Sequence, residues 1–226
     1  MKQALLLLSV SFFIVVLIAV PGHAQFELLW GRGNPMGMGN IHGVTVDPET
    51  GHLYITHFAD QSIHHFDEDL EHVETFNIGL GGIRGLGFDT QENQLIVANG
   101  GNIRILNLNG ELLRTFANNG GSNTVDHDPE RDLYVVGRFG GAVAYFNRDG
   151  EQVGGFDSGV NITGICYYPI NGTIFAMDTD DPVSEFTIEG ERIGEPLQGD
   201  QIVENGQDLA YDSRQRILYA TGQVAW

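Results

Sequence analysis

The sequence predicts an all-β propeller of four-stranded antiparallel blades, and three observations predict it. The first is one unit, Gly85 to Phe116, in which short runs of Val, Ile, Leu and Phe are separated by Gly/Asn/Asp turns. It holds four strand-like runs in about forty residues, the size of one blade. The second is a marker: an Asp closing the first strand returns as Asp47, Asp89, Asp128 and Asp212, with Tyr168 at the equivalent place. The spacings are 42, 39, 40 and 44 residues. The third is that the other strands recur in step with the marker.

Taken in order, the first strands include Gly43-Val44-Thr45-Val46, Gly85-Leu86-Gly87-Phe88, Gly164-Ile165-Cys166-Tyr167 and Asp208-Leu209-Ala210-Tyr211. The second strands are Leu53 to Thr56, Leu95 to Ala98, Leu133 to Val136, Ile174 to Met177 and Leu218 to Thr221. The third are Ile63 to Phe66, Ile103 to Leu106, Ala142 to Phe146 and Val183 to Phe186. A Gly or acidic turn follows each, then a fourth strand ending at Phe76, Phe116, Phe156 or Pro196. The repeats therefore run about 40–79, 80–120, 121–159, 160–200 and 201–226. The last stops inside its third strand, at Val224-Ala225-Trp226, and Phe26 to Trp30 has the pattern of a fourth strand. Residues 25–31 are expected to complete that blade and close a five-bladed ring, which leaves no open sheet edge. The alternative is a truncated copy of a longer propeller.

Met1-Lys2, an apolar run from Ala4 to Val20 and small residues at Gly22 and Ala24 read as a secretory leader, residues 1–24, cut before Gln25. Residues 25–226 then form a single propeller domain, secreted or periplasmic. Only an uncleaved leader would hold it at a membrane. Thirty acids face eleven bases, a net charge of −19. Lys2 is the sole lysine, so removing the leader leaves ten arginines against thirty acids, about −20. Such a field repels nucleic acid and anionic membranes, and a chain without lysine has no Schiff-base or lysine-base chemistry. Cys166, alone among apolar neighbours, reads as a small buried residue rather than a nucleophile.

In a propeller the first strands line the axis, and the loops that lead into them share one face with the loops between second and third strands. Five residues before each marker stand His42, Arg84, Asn123, Thr163 and Gln207. Two residues earlier stand Asn40, Asn161 and Asn205, with Gly82 and Gly121 in the other two copies. A polar ring around a concave channel suits a small polar ligand or a protein partner. It equally suits side chains that satisfy strand ends and hold channel water. On the same face Asp178, Asp180 and Asp181 offer carboxylates to calcium or form a solvated acidic loop. His57, His64 and His65 lie close enough in one blade to consider zinc, but neighbouring strand residues point to opposite sides.

The pattern Gly-Leu-x-Phe-Asp…Leu-x-Val-Ala, ending in Asn-x-x-Gly-Glu-Leu-Leu, resembles the NHL-repeat propellers. It is also similar to the related SMP-30-like gluconolactonase and strictosidine-synthase-like propellers. Gly85 to Phe116 and Gln207 to Thr221 carry the likeness best, with weaker copies over the rest of the repeats. The resemblance specifies a blade rather than an activity. A gluconolactonase-type lactonase implies a divalent ion, Ca2+ or Zn2+, held near the axis by a Glu, an Asn and an Asp. Asn123 or Asn161 would stand for the Asn and Asp208 or Asp126 for the Asp. Glu204 would be the Glu, one residue off the register of the polar ring. No nucleophile elbow or phosphate loop is present. Two functions follow: a non-enzymatic binding module using the polar mouth, and, alternatively, a metal-dependent hydrolase of lactones or similar esters.

Overall fold

The computed structural model describes residues 13–20, 25–33, 41–79, 81–178, 183–197 and 204–223, with backbone alone for 13–20, 25–33, 195–197, 204–205 and 223. Every regular element among them is a strand. In chain order these are β1 (Phe13–Val20), β2 (Gln25–Gly33), β3 (Ile41–Val46), β4 (Leu53–His57), β5 (Ser62–Phe66) and β6 (His72–Asn77). Then come β7 (Ile83–Asp89), β8 (Gln94–Leu106), β9 (Leu112–Asp128), β10 (Leu133–Arg138), β11 (Ala142–Phe146) and β12 (Gln152–Asp157). The last are β13 (Ile162–Tyr168), β14 (Thr173–Asp178), β15 (Val183–Phe186), β16 (Arg192–Leu197), β17 (Glu204–Asp212) and β18 (Ile217–Gln223).

Two sheets are simple four-stranded meanders, β3-β4-β5-β6 and β13-β14-β15-β16. The six-stranded sheet β7 to β12 is two such units run together. β8 carries the second and third strand positions, and β9 pairs first with β8 and then, from Ser122, with β10. The remaining sheet has the order β17-β18-β1-β2. Part of the stretch read as a leader pairs in this sheet. Residues 13–20 take the third position, with Phe13 opposite Gly222 and Ile18 opposite Ile217, and β2 takes the fourth. The physical reason is that an apolar run rich in Ile and Val is also good strand material, and β18 offers it an unpaired edge.

The turns explain the repeat. Each marker Asp accepts backbone N–H groups two or three residues on, closing the first hairpin as an Asx turn. Asp47 takes Glu49, Asp89 takes Gln91 and Glu92, Asp128 takes Glu130 and Arg131, and Asp212 takes Arg214 and Gln215, at 2.8–3.2 Å. Asp67, Asn107 and Asn147 accept the N–H four residues on, between third and fourth strands. The glycines of these later turns, Gly110, Gly150 and Gly190, have positive φ and lie against Phe76, Phe116 and Phe156 of the preceding unit. A Cβ there would come within 2.6–2.8 Å of the ring-bearing Cβ. Glycine serves both the backbone conformation and the close approach.

The apolar core is divided among the gaps between consecutive sheets. Tyr54, Ile63 and Phe76 pack on Ile83, Leu86 and Phe88, while Ile96 and Ile103 pack on Val125 and Tyr134. Val135 and Val143 meet Ile165 and Ile174, and Cys166 and Phe175 meet Leu209 and Leu218. Ala210, Ile217 and Tyr219 in turn pack against Ile41, Val44 and Ile55. The innermost strands touch in the same succession: β3 with β7, β7 with β9, β9 with β13, β13 with β17, and β17 with β3. Their approach is too close for side chains. A Cβ on Gly43 would stand 2.6 Å from the Arg84 carbonyl, and one on Gly164 would stand 2.8 Å from the Asp208 Cα.

Candidate functional site

Four residues before each marker the first strands place Gly43, Gly85, Thr124, Gly164 and Asp208 at one level of the axis. Three glycines leave room that two polar side chains fill. Asp208 is fully buried. One carboxylate oxygen accepts the Val44 N–H at 3.2 Å and the Leu86 N–H at 3.1 Å, and the other accepts the Thr124 hydroxyl at 2.5 Å. The Thr124 oxygen in turn accepts the Ile165 N–H at 3.0 Å. One Asp–Thr pair thus ties β3, β7, β9, β13 and β17 together. Burial pushes the Asp208 carboxyl well above its ordinary range, and the donors from Thr124, Leu86, Leu209 and Val44 pull the other way.

All three hydrogen bonds that Asp208 is seen to accept come from the inner strands, so its buried carboxylate serves the packing of the axis. Asn161 is exposed at the rim, where its side-chain oxygen accepts the Gly140 N–H at 3.0 Å. The Glu204 side chain lies outside the description, as do Asp180 and Asp181. Asp178 accepts the Asn161 N–H at 2.9 Å.

The predicted polar ring divides in two. Asn123 and Thr163 are buried. The Asn123 amide donates to the Ile162 and Thr163 carbonyls at 3.1 and 3.2 Å, and the Thr163 hydroxyl donates to the Met177 carbonyl at 3.1 Å. Their donors are committed to strand ends. His42, Arg84 and Gln207 are half-buried. Asn40 lies outside the described residues, and Asn205 is described by backbone only, within β17.

Arg84 holds the distinctive place. Its guanidinium carbon lies 5.4 Å from the Phe58 ring centroid and 5.3 Å from that of Phe139. Phe58 comes from the β4–β5 loop and Phe139 from the β10–β11 loop, so two blades bracket a cation carried by the unit between them. Among the described residues no carboxylate or hydrogen-bond acceptor engages this guanidinium. Phe139 is 52% exposed, which leaves the pair open to solvent. His42 packs on Phe58 at 4.9 Å between ring centroids. Burial, helped by the Arg84 charge, lowers its pKa to about 4, so it is a neutral imidazole at pH 7. The sequence pattern singles out Arg84 and His42 but gives no sign of the two phenylalanines beside them.

The opposite end of the axis opens into a cavity of about 280 Å³, lined among others by Thr45, Phe88, Asp126, Tyr167 and Tyr211. Asp126 accepts the Tyr167 N–H at 2.8 Å. Burial among the inner strands pushes its pKa up to about 7 against those backbone donors. A carboxyl whose pKa is raised on folding contributes stability that is complete below about pH 4 and lost as pH rises through about 7. Asp126→Asn should therefore gain on the wild type as pH rises from 4 to 7.5, by several degrees in melting temperature. A constant difference across that range would remove the assignment. Cys166, next to this level of the axis, is fully buried, and burial drives its thiol well above the ordinary range, which leaves it unreactive.

No protein-family model matches the chain, and no curated protein matches it by sequence. Solved structures do. A chain of a nidogen/laminin complex superposes with a TM-score of 0.67 at 13% identity, over 92% of this chain and 84% of that one. A chain of Kuenenia stuttgartiensis hydrazine synthase superposes with a TM-score of 0.56 at 13% identity, over 77% of this chain. The present chain spans 53% of that protein's length. At this identity the likeness establishes the fold, and the fold is propeller-like.

Proposed function

We propose that the protein is a non-enzymatic interaction module that captures a carboxylate-bearing ligand or protein segment at the Arg84 mouth. The observation that carries the proposal is an arginine held between Phe58 and Phe139 with no acidic partner among the described residues, in a chain of thirty acids. Guanidinium recognises carboxylate bidentately, and stacking on two rings holds it in place for that at little further entropic cost. Neutral His42 adds one donor and one acceptor without repelling an acid. The likeness to a structure of a nidogen/laminin complex agrees with an interaction role.

The same proposal takes the fold as a five-bladed NHL-type ring, closed where Asp208 of β17 accepts the Val44 N–H of β3. It also takes the protein as exported. A cut before Gln25 would remove β1 and require β2 to pair with β18 directly. The mass of the exported chain therefore decides whether residues 13–20 belong to leader or blade.

The test of the mouth is a binding series with short peptides that end in one or two carboxylates, alongside their amidated counterparts. The acidic peptides should bind and the amidated ones should not. Arg84→Met should weaken binding by at least tenfold, since charge-assisted hydrogen bonds contribute about 1.5–3 kcal/mol. Equal binding of acidic and amidated peptides would overturn the reading.

A further inference from the structure

The β4–β5 hairpin brings together three metal-ligating side chains outside the Arg84 mouth. His57 stands opposite Ser62, Ile55 opposite His64, and His64 opposite Thr75. Directly opposed residues share a sheet face, so His57, Ser62, His64 and Thr75 all project to one side, while His65 turns to the other. Asp60, in the turn, reaches back over the same side. One ligand atom from each of His57, Asp60 and His64 lies within 4.8 Å of the other two.

The contacts inside the cluster favour a cation. His57 Nδ1 is 2.7 Å from Asp60 Oδ2, yet it is shielded from solvent and not aligned for a hydrogen bond. The close approach places the His57 imidazole and the Asp60 carboxylate in one cluster with His64. His64 is buried, and Thr75 Oγ1 lies 3.0 Å from its Nδ1. A Nδ1–H donated to Thr75 would leave Nε2, 3.0 Å from Ser62 Oγ, as the lone pair on the cluster side. Thr75 also bonds His72 at 2.9 Å. Outer-shell hydrogen bonds that fix a histidine's tautomer are the usual support of a metal site.

We infer that His57, Asp60 and His64 form a binding site for a divalent transition metal of the zinc class, with water completing the coordination. Two imidazoles and one carboxylate suit zinc chemically. Ligand atoms around tetrahedral zinc sit roughly 3.3 Å apart, which small side-chain rotations from the observed positions supply. The Asp60 side chain is 54% exposed, which gives the ion a path in and leaves a position open to water.

The experiment is calorimetric titration of the chelator-treated full chain with Zn2+, repeated with Co2+ and read by visible absorption. One saturable site is expected, with the absorption of four-coordinate cobalt and a melting temperature that rises with zinc. Asp60→Asn and His57→Gln should each weaken binding on the order of 100-fold, and Thr75→Val on the order of 10-fold. His52→Gln, in the same blade but beside His65 on the other face, should bind as the wild type does. Asp60 is exposed enough that its variant should melt normally without metal, which separates loss of ligand from loss of fold. Absence of a saturable site, or equal losses in His52→Gln and Asp60→Asn, would overturn the inference.

Discussion

Asp208→Ala should leave the protein without a cooperative melting transition, or lower its melting temperature by tens of degrees. The substitution deletes the acceptor for two backbone N–H groups and one hydroxyl at the centre of the fold, where Asp208 has no exposed surface. Each buried donor left without a partner costs about 1–3 kcal/mol. Their sum rivals the roughly 5–15 kcal/mol by which a whole domain is stable. Gly43, Gly85 and Gly164 bring the strands into close contact around the site. Thr124→Val keeps the shape of the pair but loses the bonds to Asp208 and to the Ile165 N–H. It should fall between Asp208→Ala and the wild type. Asp208→Asn retains one acceptor and should also be intermediate. The comparison also separates the structural role from metal ligation: a ligand's loss is mimicked by chelation, whereas Asp208→Ala should fail with or without a chelator. An Asp208→Ala protein that melts within a few degrees of the wild type would show that the axis is held by something else.

The blade repeat was legible because its causes are local. An Asp that closes a first hairpin and a Gly in the turn after the third strand act through bonds within a few residues of themselves, so their spacing survives in the sequence. The polar ring was legible only as composition. Asn123 and Arg84 occupy the same repeat position, yet one is buried against the next strand's carbonyls and the other stands between aromatic rings. That difference is set by loops from other blades, and Phe58 and Phe139 are far from Arg84 in the chain. The Asp208–Thr124 pair was hidden in a different way. Position four before the marker reads Gly, Gly, Thr, Gly, Asp, and three glycines at one level of an axis signal a packed centre. Asp208, read as a channel ligand, lies buried at that level and bonds to the strands around it. For the histidines the missing datum was register: once His57 is opposed to Ser62, alternation alone puts His57 and His64 together and sends His65 away.

Arg148→Met should cost about 3–5 kcal/mol, the expected loss when a buried ion pair is broken from one side, and lower the melting temperature by roughly 10 °C. Asp89 has no exposed side-chain surface, and Arg148 grips both of its oxygens, at 2.5 and 3.1 Å. The same guanidinium reaches Asp132 at 2.6 Å and Gln91 at 3.2 Å and lies over the Tyr134 ring, so one side chain clasps two units of the propeller. Burial raises the Asp89 carboxyl, but the Arg148 bonds, the His127 charge and the Glu92 N–H outweigh it and hold the pKa below the ordinary value. A carboxyl lowered in this way contributes stability above its unfolded pKa, and the contribution is lost as pH falls through the folded one. The gap between wild type and Arg148→Met should therefore be widest near neutrality and should narrow below about pH 4. Lysine cannot reproduce the two-oxygen grip, so Arg148→Lys should recover only part of the loss. The double variant Asp89→Asn with Arg148→Met removes the stranded charge and should melt above Arg148→Met alone. If instead the two losses simply add, the clasp is not an ion pair in energetic fact, and the blades are held by their apolar faces alone.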